Sequence, residues 1–519
     1  MPRRIGPALV AVLALTGCAV AATLRSYDVT PSGLERTEQR LRVWLSRARS
    51  DSAAWPAASA LPGDQLLRTL YEGTFAFYNR KFRQAGEKFD EADRITEARY
   101  TRSLSQNALA MLTNDRELDF EPGINERLLI HYYGALSFIG AGDLEGAAVE
   151  ARKLGYLLEK FGGDLTDRDR SSRTMLRWFA GAVFEAAGER NDALVSYRNA
   201  RALAGDSVRG ADDDRLPVDG LVADSGDVLV VVEQGFVAFP VPFDISIPLY
   251  QHEARYYDSD ADRSRQAWMS GRVGLRMRAQ LAGMPGGGLY WGQTPGSLVV
   301  ANEFGMMTAV DPDSVSMAYR GGHRYNYRYD PRWGGLPVRA AVADRILKLS
   351  IPVYRVPRGA GTPRVATAAG AAAPFAWGNL SEAEVADFDR ERAWTYTRAV
   401  LRVAVKAIAA EAAEQAARKA AEGKKGGKKD EANAARWGRF FGFLTSASGA
   451  ILERADTRSW NLLPHSVSLV RVRLPAGRQT VRLTAPGGAD GTIEVPDVLV
   501  RAGQLTFASR RFWGSEAEW

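Results

Sequence analysis

The chain has very few of the residues on which many enzymes depend. Cys18 is its single cysteine, which leaves no second thiol for an internal disulfide or for thiol chemistry. Only four histidines occur, far apart and in no H-E-x-x-H arrangement, and this argues against a zinc site. The sequence contains no G-x-x-x-x-G-K-[ST] phosphate loop and, after residue 18, no apolar run long enough to span a bilayer. Metal, thiol and nucleotide chemistry are therefore not expected.

The surroundings of Cys18 are typical of a lipid attachment site. Two arginines precede an apolar stretch, residues 7–15, that is too short to cross a bilayer. Residues 15–18, Leu-Thr-Gly-Cys, resemble the lipobox of bacterial lipoproteins, in which the cysteine is acylated after cleavage just before it. By the same resemblance, Ala19 in place of an aspartate favours sorting to the outer membrane over inner-membrane retention. We expect the anchored chain to face the periplasm, with an orientation towards the cell exterior left open. The alternative is an ordinary secretory signal with a chance cysteine.

Composition indicates a folded chain with several domains. Hydrophobic residues make up 46% and charged residues 25%, both ordinary for globular proteins, and 519 residues predict about two to four domains. The net charge of +7 is small because 68 basic residues nearly balance 61 acidic ones. Four lysines within 424–429 lie in a glycine-broken turn, which favours a solvated linker over contact with anionic lipid or cell-wall polymer. No nucleic-acid partner is predicted.

Residues 34–204 have helical apolar spacing and a repeated pattern. Each repeat pairs small residues with an aromatic or aliphatic residue and places a polar turn between two helices. The pattern resembles the second helix of the tetratricopeptide repeat, matched best by Ala85, Phe89 and Ala92. The repeats are irregularly spaced, so we predict intervening helices, one over 97–112, in a compact solenoid of about eight helices. The alternative is a generic helical bundle.

The central part of the chain is predicted to be strand-rich. The β-branched run 227–233 predicts a strand that is buried on both faces, and 298–301 and 346–354 are further strand candidates. Segment 283–296, with three consecutive glycines, is predicted to be a flexible loop. Segment 358–373, rich in alanine, glycine and proline, is predicted to be a disordered surface loop.

Residues 324–329 alternate arginine or asparagine with tyrosine. A period of two places Tyr325, Tyr327 and Tyr329 on one face of a strand. Such an aromatic face beside arginines can stack on sugars or bases. Packing under a helix is the more common role of such a face, and both interpretations stay open, with packing preferred.

The last third of the chain predicts a helical hairpin followed by a β module. Ser381 and Glu384 have the spacing of a capping box that opens a helix to about residue 421, and 433–452 returns as a second helix. From residue 467 onward, alternating apolar residues separated by Pro and Gly turns predict a small antiparallel sandwich.

The predicted fold class is therefore α+β and multidomain. The predicted segments are a signal peptide (1–17), an anchor linker (18–33), a tetratricopeptide-like helical domain (34–204), a linker (205–226), a mixed strand-rich region (227–380), a helical hairpin (381–455) and a small β module (456–519).

Residues 456–464, Asp-Thr-Arg-Ser-Trp-Asn-Leu-Leu-Pro, join the predicted hairpin to the β module. The preferred interpretation is structural: Asp456 and Arg458 form a buried salt bridge, and Trp460 anchors the join. A role for Asp456 as a general acid would need a second positioned group, which the sequence does not show.

This element belongs to a wider resemblance. Together with residues 71–73, 232–235 and 351–354, it makes nearly the whole chain resemble an uncharacterised family of proteobacterial lipoproteins with N-terminal tetratricopeptide-like repeats. The resemblance implies a role in cell-envelope or peptidoglycan assembly. It implies no known reaction and no cofactor.

Two classes of function stay open. The preferred one is a non-enzymatic scaffold, anchored in outer-membrane lipid through acylated Cys18, that docks periplasmic proteins on its helical repeats. The alternative is a hydrolase-type envelope enzyme that acts on glycan or peptide through carboxylates such as Asp227, Glu233 and Asp456. Because no nucleophile and base have a recognisable spacing, the scaffold is favoured, and no catalytic, cofactor-binding or metal-binding residue is predicted.

Overall fold

The protein combines helices with sheets. The computed structural model describes residues 61–110, 119–204, 215–220, 224–249, 288–291, 298–301, 307–309, 345–357, 361–367, 370–399, 402, 450–452, 455–484 and 492–513. Seven helices and fourteen strands lie in these ranges, which confirms the predicted α+β class.

Six of the helices follow one another in the first part of the chain. The helices are α1 (Gln65–Tyr78), α2 (Phe82–Ala110), α3 (Ile124–Ala141), α4 (Leu144–Lys160), α5 (Arg170–Ala186), α6 (Arg190–Ala204) and, later, α7 (380–399). From α1 to α6, each helix packs against the next. Gly142 and Gly188 both have a φ of 82°, a left-handed conformation that ends α3 and α5 and lets the chain turn back at once.

Helix α2 is a single long helix. We predicted a separate helix over 97–112, but α2 continues unbroken from Phe82 to Ala110. Residues 87–110 contain neither glycine nor proline, so nothing in the sequence interrupts the helical hydrogen bonds.

The repeated pattern of small and aromatic residues forms the contacts between paired helices. A Cβ atom added at Gly73 would lie 2.9 Å from the Phe89 ring, and one added at Gly181 would lie 2.5 Å from the Tyr197 ring. Ala85, one turn before Phe89 on α2, is also fully buried. Small residues therefore let each helix pair approach closely around an aromatic ring.

Alternate helices differ in how much of their surface is buried. Helices α1, α3 and α5, the inner helices, are buried on nearly all sides; residues 125–137 of α3 are buried without exception. Helices α2, α4 and α6, the outer helices, each bury one stripe, as α6 does with Ala193, Tyr197 and Ala200. The inner helices must therefore be covered by a further layer on the side away from the outer helices.

That layer is a sheet. The strands are β1 (Ser225–Gln234), β2 (Phe239–Leu249), β3 (Gly288–Trp291), β4 (Leu298–Ala301), β5 (Met307–Ala309), β6 (Arg345–Arg355), β7 (Arg364–Thr367), β8 (Gly370–Ala372), β9 (Ala376–Asn379), β10 (Ala450–Leu452), β11 (Ser466–Pro475), β12 (Gly477–Thr484), β13 (Thr492–Val500) and β14 (Leu505–Phe512). The central sheet has the order β14-β1-β11-β9, in which β1 runs antiparallel to β11 and parallel to β14.

The central sheet is buried on both faces. Leu229 and Val231 of β1 belong to the same core as the inner helices. Val228 and Val230, which point the other way, belong to a second core shared with the outer sheet, β13-β12-β7-β8. The expected double burial of β1 is confirmed. The described layers are thus outer helices, inner helices, central sheet and outer sheet.

The C-terminal strands are divided between the two sheets. β11 and β14 flank β1 in the central sheet, whereas β12 and β13 lie in the outer sheet. Segments 227–380 and 456–519, which the sequence assigned to separate units, therefore contribute to one sheet. A strand that is apolar on both faces needs neighbours at both edges, and β1 finds them about 240 and 280 residues away.

Two predicted loops contain strands. Within 283–296, β3 pairs with β4; within 358–373, β7 pairs with β12 and β8 pairs with β7. Val365 explains the second difference, because it is fully buried opposite Leu483 in the core between the sheets. One apolar residue in the correct register outweighs a composition that is typical of loops.

A further sheet has the order β10-β6-β2, with β6 paired to β2 along its whole length. β2 contains Pro240, Pro242 and Pro248 and lies at the edge, where a residue without an N–H group breaks no ladder.

Helix α7 does not begin with the predicted capping box. Its N-cap is Asn379, whose Oδ1 accepts a 3.1 Å hydrogen bond from the Glu382 amide. Ser381 and Glu384 instead bond to other parts of the fold. The predicted second helix of the hairpin was expected to reach residue 452, but residues 450–452 instead form strand β10, which pairs with β6. Residues 400–401, 403–449 and 453–454 of the predicted hairpin lie outside the described residues.

Candidate functional site

Trp460 lies where three helices meet. Its indole N–H donates a 2.9 Å hydrogen bond to Thr74 Oγ1 on α1, and its amide N–H donates to Glu126 on α3. Its ring lies 5.8 Å from the ring of Phe89 on α2 and 5.7 Å from that of Tyr133 on α3. Trp460 exposes none of its surface. The Trp460 segment, residues 456–464, is therefore bound into the helical layers.

A second contact fixes the same segment. The hydroxyl of Tyr71, on α1, donates a 2.8 Å hydrogen bond to Asn461 Oδ1. Both side chains are buried. The expected anchoring role of Trp460 thus has a partner in Asn461, although the anchor reaches the first three helices rather than the predicted C-terminal hairpin.

Asp456 and Arg458 form an ion pair at the border of this segment. Arg458 Nε lies 2.9 Å from Asp456 Oδ1, and Arg458 Nη2 lies 2.6 Å from Oδ2, so the pair is bidentate. The side chains are 27% and 16% exposed, respectively. The predicted salt bridge is present but only half-buried. Arg458 also approaches Asp64, the N-cap of α1, at 3.9 Å.

Glu126 belongs to a buried group of three carboxyls. Its two oxygens accept the amide hydrogens of Trp460 and Gly123. Asn125, beside it, donates from its side-chain amide to Glu384 at 2.7 Å and from its backbone amide to Asp387, both on α7. The start of α3 therefore joins the Trp460 segment to α7.

The environment of these carboxyls favours their protonated forms. Burial raises the pKa of Glu126, and the nearby charge of Asp387 adds to this effect. Burial raises the pKa of Glu384 well above its usual range, and the neighbouring Glu126 and Asp387 raise it further. Burial also raises the pKa of Asp387, although the Asn125 amide and Arg390 oppose the shift. In its protonated form, each carboxyl avoids both the cost of a buried charge and the repulsion between neighbouring charges.

Glu233 lies at the end of β1 in a second buried network. Tyr78 Oη donates to it at 2.6 Å and Tyr132 Oη at 3.1 Å. Arg511, on β14, donates to Tyr78 Oη at 2.9 Å and lies 4.4 Å from the centre of the Trp513 ring. Burial raises the pKa of Glu233, while the charge of Arg511 acts to lower it. The network joins α1 and α3 to two strands of the central sheet.

Asp227, at the other end of β1, belongs to a third network. Its Oδ2 lies 2.6 Å from Arg471 Nε, and the two Nη atoms of Arg471 each lie 2.8 Å from Glu185 on α5. Asp227 and Glu233 are six residues apart on one strand, a separation of about 20 Å. Asp227, Glu233 and Asp456 therefore lie in three separate hydrogen-bonded groups.

The structure brings together a serine and a histidine that the sequence did not suggest. His465 Nδ1 lies 2.8 Å from Ser381 Oγ, and the hydroxyl oxygen also accepts the Ala238 amide hydrogen at 2.9 Å. Burial lowers the pKa of His465, so its neutral ring can accept the hydroxyl proton. Ser381 has no exposed surface. The pair joins three chain segments, and 84 residues separate its members, so no local spacing could reveal it.

Cys18, Tyr325, Tyr327 and Tyr329 lie outside the described residues. Within the described ranges, no three or more His, Cys, Asp or Glu side chains are grouped so as to hold a metal ion. None of the described helices is both long enough and apolar enough to cross a membrane. Comparison with known protein families, curated proteins and solved structures finds no match to this chain.

Proposed function

We propose that the protein is a non-enzymatic scaffold of the cell envelope, anchored in the outer membrane through acylated Cys18, that binds a periplasmic protein. The lipobox-like sequence at residues 15–18 supports the anchor. The resemblance to proteobacterial lipoproteins with tetratricopeptide-like repeats supports a role in cell-envelope or peptidoglycan assembly.

The occupied inner face of the helices supports a particular mode of binding. In a tetratricopeptide-like stack, the concave face is the usual place for a ligand. Here the inner helices are covered by the Trp460 segment and by the central sheet, through Glu233 and Leu229 among others. A partner would therefore meet the outer helices.

The observation that carries the proposal is the exposed apolar surface of those outer helices. Val149 and Tyr156 lie two turns apart on one face of α4, 47% and 65% exposed, and Val195 on α6 is 52% exposed. Exposed apolar side chains that lie together on one helical face can form part of an interaction surface. The hydrolase alternative has no comparable support within the described part of the chain, where the three carboxylates considered for it are each held by donors from the fold.

A photo-crosslinking residue introduced at Tyr156 in the anchored protein tests this proposal. We expect a discrete adduct with a periplasmic protein. The matched control is the same probe at Leu499, an equally apolar exposed position on β13 in the opposite layer, where we expect none. Equal adduct patterns at both positions, or none at either, would contradict a docking surface on the outer helices.

The anchor is tested separately. Cys18→Ser should release the protein from the membrane fraction into the soluble periplasmic fraction, because one modified residue carries the attachment. Unchanged membrane association of this variant would show that Cys18 is not the anchor.

A further inference from the structure

The turn between α1 and α2 forms one side of an open cavity with basic walls. The cavity has a volume of 460 Å³, and the lining residues from the turn and the two adjacent helix ends include Arg80, Lys81, Phe82, Arg83, Gly140 and Ala141. Phe82 packs on the end of α3, where a Cβ atom at Gly140 would lie 2.5 Å from its ring. This close approach makes the apolar floor of the cavity.

Arg80 and Arg83 lack the carboxylate partners that many other arginines of the described structure have. Arg99 is paired with Asp64, for example, at 3.1 Å. Among the described residues, neither Arg80 nor Arg83 has an ion-pair partner, and both are exposed. The first turn of α2 also contains no acidic residue. Within the described residues, the charges of Arg80 and Arg83 are therefore not neutralised by an ion pair.

A further arginine lies on β14 of the central sheet and is not part of the cavity lining. Arg510, on β14, is half-buried, and within the described residues its side chain donates only to the carbonyl of Ser509. Burial lowers the pKa of Arg510 to about 10, and the nearby positive charge of Arg80 contributes to this. The positive charges of Arg510 and Arg80 repel each other where burial reduces the screening by water. A bound anion would reduce that repulsion.

The turn holds Arg80 in a fixed position. The Arg80 amide donates to the Phe77 carbonyl at 2.9 Å, and the Lys81 amide donates to the Ala76 carbonyl at 2.9 Å. These hydrogen bonds fix the backbone of Arg80, so its Cα atom has a defined position at the edge of the cavity.

We propose that this cavity binds a phosphate group, presented either by an anionic lipid headgroup or by a soluble phosphorylated molecule. The two guanidinium groups of Arg80 and Arg83 supply more N–H donors than the two oxygens of a carboxylate can accept, whereas a phosphate offers additional oxygens and a higher charge. The open shape suits a group that is offered at a surface. The proposal depends neither on the lipid anchor nor on the docking of a protein partner.

Vesicle binding tests the lipid source. The chain from residue 18 onward, with Cys18→Ser so that no acyl anchor contributes, is sedimented with phosphatidylglycerol–phosphatidylcholine vesicles and with pure phosphatidylcholine vesicles. The double variant Arg80→Gln/Arg83→Gln should partition into the anionic vesicles about 30-fold more weakly than the parent. The matched control, Arg478→Gln/Arg482→Gln, removes two exposed charges from β12 and should bind like the parent.

Calorimetric titration with inorganic pyrophosphate tests the soluble source with the same proteins. Loss of pyrophosphate binding in the cavity variant alone, without vesicle binding by the parent, would support the site and assign it to a soluble phosphate. The variant Arg80→Lys/Arg83→Lys, which keeps the charge, should retain intermediate binding in whichever titration the parent shows binding. Melting curves verify that each variant is folded.

Two results would overturn the proposal. One is equal weakening of binding in the cavity variant and in the β12 control, which would show that binding depends only on the net charge of the protein. The other is a parent that binds neither the anionic vesicles nor pyrophosphate.

Discussion

Trp460 shows how much one side chain can contribute to this fold. It contacts α1, α2 and α3 at once through its ring, and its two N–H groups reach α1 and α3. A large buried ring with a satisfied N–H group contributes both apolar burial and a directional bond. The segment that contains it was predicted from the sequence, but the helices that receive it were not.

Trp460→Ala should lower the free energy of unfolding by about 3–5 kcal/mol, because it leaves a cavity and removes the N–H donor that Thr74 Oγ1 accepts. Trp377→Ala is the matched control, since Trp377 is 46% exposed and its removal should change stability little. Denaturant unfolding of both variants measures the difference. Equal stability of the Trp460 variant and the parent would refute the anchoring role.

Asp456→Asn should cost about 1 kcal/mol, because both side chains of the ion pair, 27% and 16% exposed, still reach solvent that screens their charges. Unfolding curves beside an envelope-sensitivity assay measure both stability and function. A catalytic Asp456 predicts the reverse ranking: full stability with lost function for this variant, and little effect of Trp460→Ala.

At the scale of elements, the start of α3 joins α7 through buried carboxyls. Glu384 accepts a hydrogen bond from Asn125 and lies near Glu126 and Asp387, so burial and like charge both favour its neutral form. A carboxyl whose folded pKa is raised contributes stability below its ordinary pKa and loses it as the pH rises through the folded pKa. The contact between the start of α3 and α7 should therefore lose stability as the pH rises above about 4.5.

Glu384→Gln imitates the protonated carboxyl and still accepts from Asn125, so we expect the variant to equal the parent at pH 4 and to be more stable at pH 8. Some pH dependence remains, because Glu126 and Asp387 also have raised pKa values. The control is Glu382→Gln, two residues earlier on α7. Because the Glu382 side chain is 41% exposed, this substitution should not change how stability depends on pH. Urea unfolding across this pH range gives the result; a Glu384 variant that follows the parent at every pH would show that burial does not hold a proton here.

The contacts between paired helices give a second test at this scale. Gly181→Ala should destabilise the protein by about 1–3 kcal/mol, because the new methyl group would lie 2.5 Å from the buried Tyr197 ring. Gly155→Ala, on α4, meets nothing within 4 Å and should stabilise it by about 0.4–1 kcal/mol. Thermal unfolding of the two variants should shift in opposite directions, and a shared direction would mean that the Gly181 contact is not tight.

The sequence predicted elements where local patterns are strong and missed them where a distant neighbour decides. The β-branched run of β1 and the alternating apolar residues of β11 were enough to predict both strands from local pattern alone. β7 was not, since its composition is that of a loop and only the pairing of Val365 with Leu483 makes it a strand. The same limit applies to the site: the Asp456–Arg458 pair is local and was predicted, whereas the pairing of Ser381 with His465 is not local.

At the scale of the whole molecule, the helices and sheets share their cores. Glu233 on β1 bonds to tyrosines of α1 and α3, and Arg471 on β11 bonds to Glu185 of α5. Neither hydrophobic periodicity nor composition predicts these pairings, because they connect different layers of the fold and not residues that are close in sequence. The helical part therefore depends on the sheet to cover its inner face.

The most direct test of this account is to produce residues 61–204 and 215–519 separately and to follow their unfolding with and without each other. We expect that neither fragment unfolds cooperatively alone and that 61–204 binds a hydrophobic dye through its uncovered inner helices. Mixing the two fragments should restore a cooperative transition and remove the dye signal. Independent, cooperative unfolding of the 61–204 fragment without dye binding would contradict the claim that the sheet and the Trp460 segment complete the helical layers.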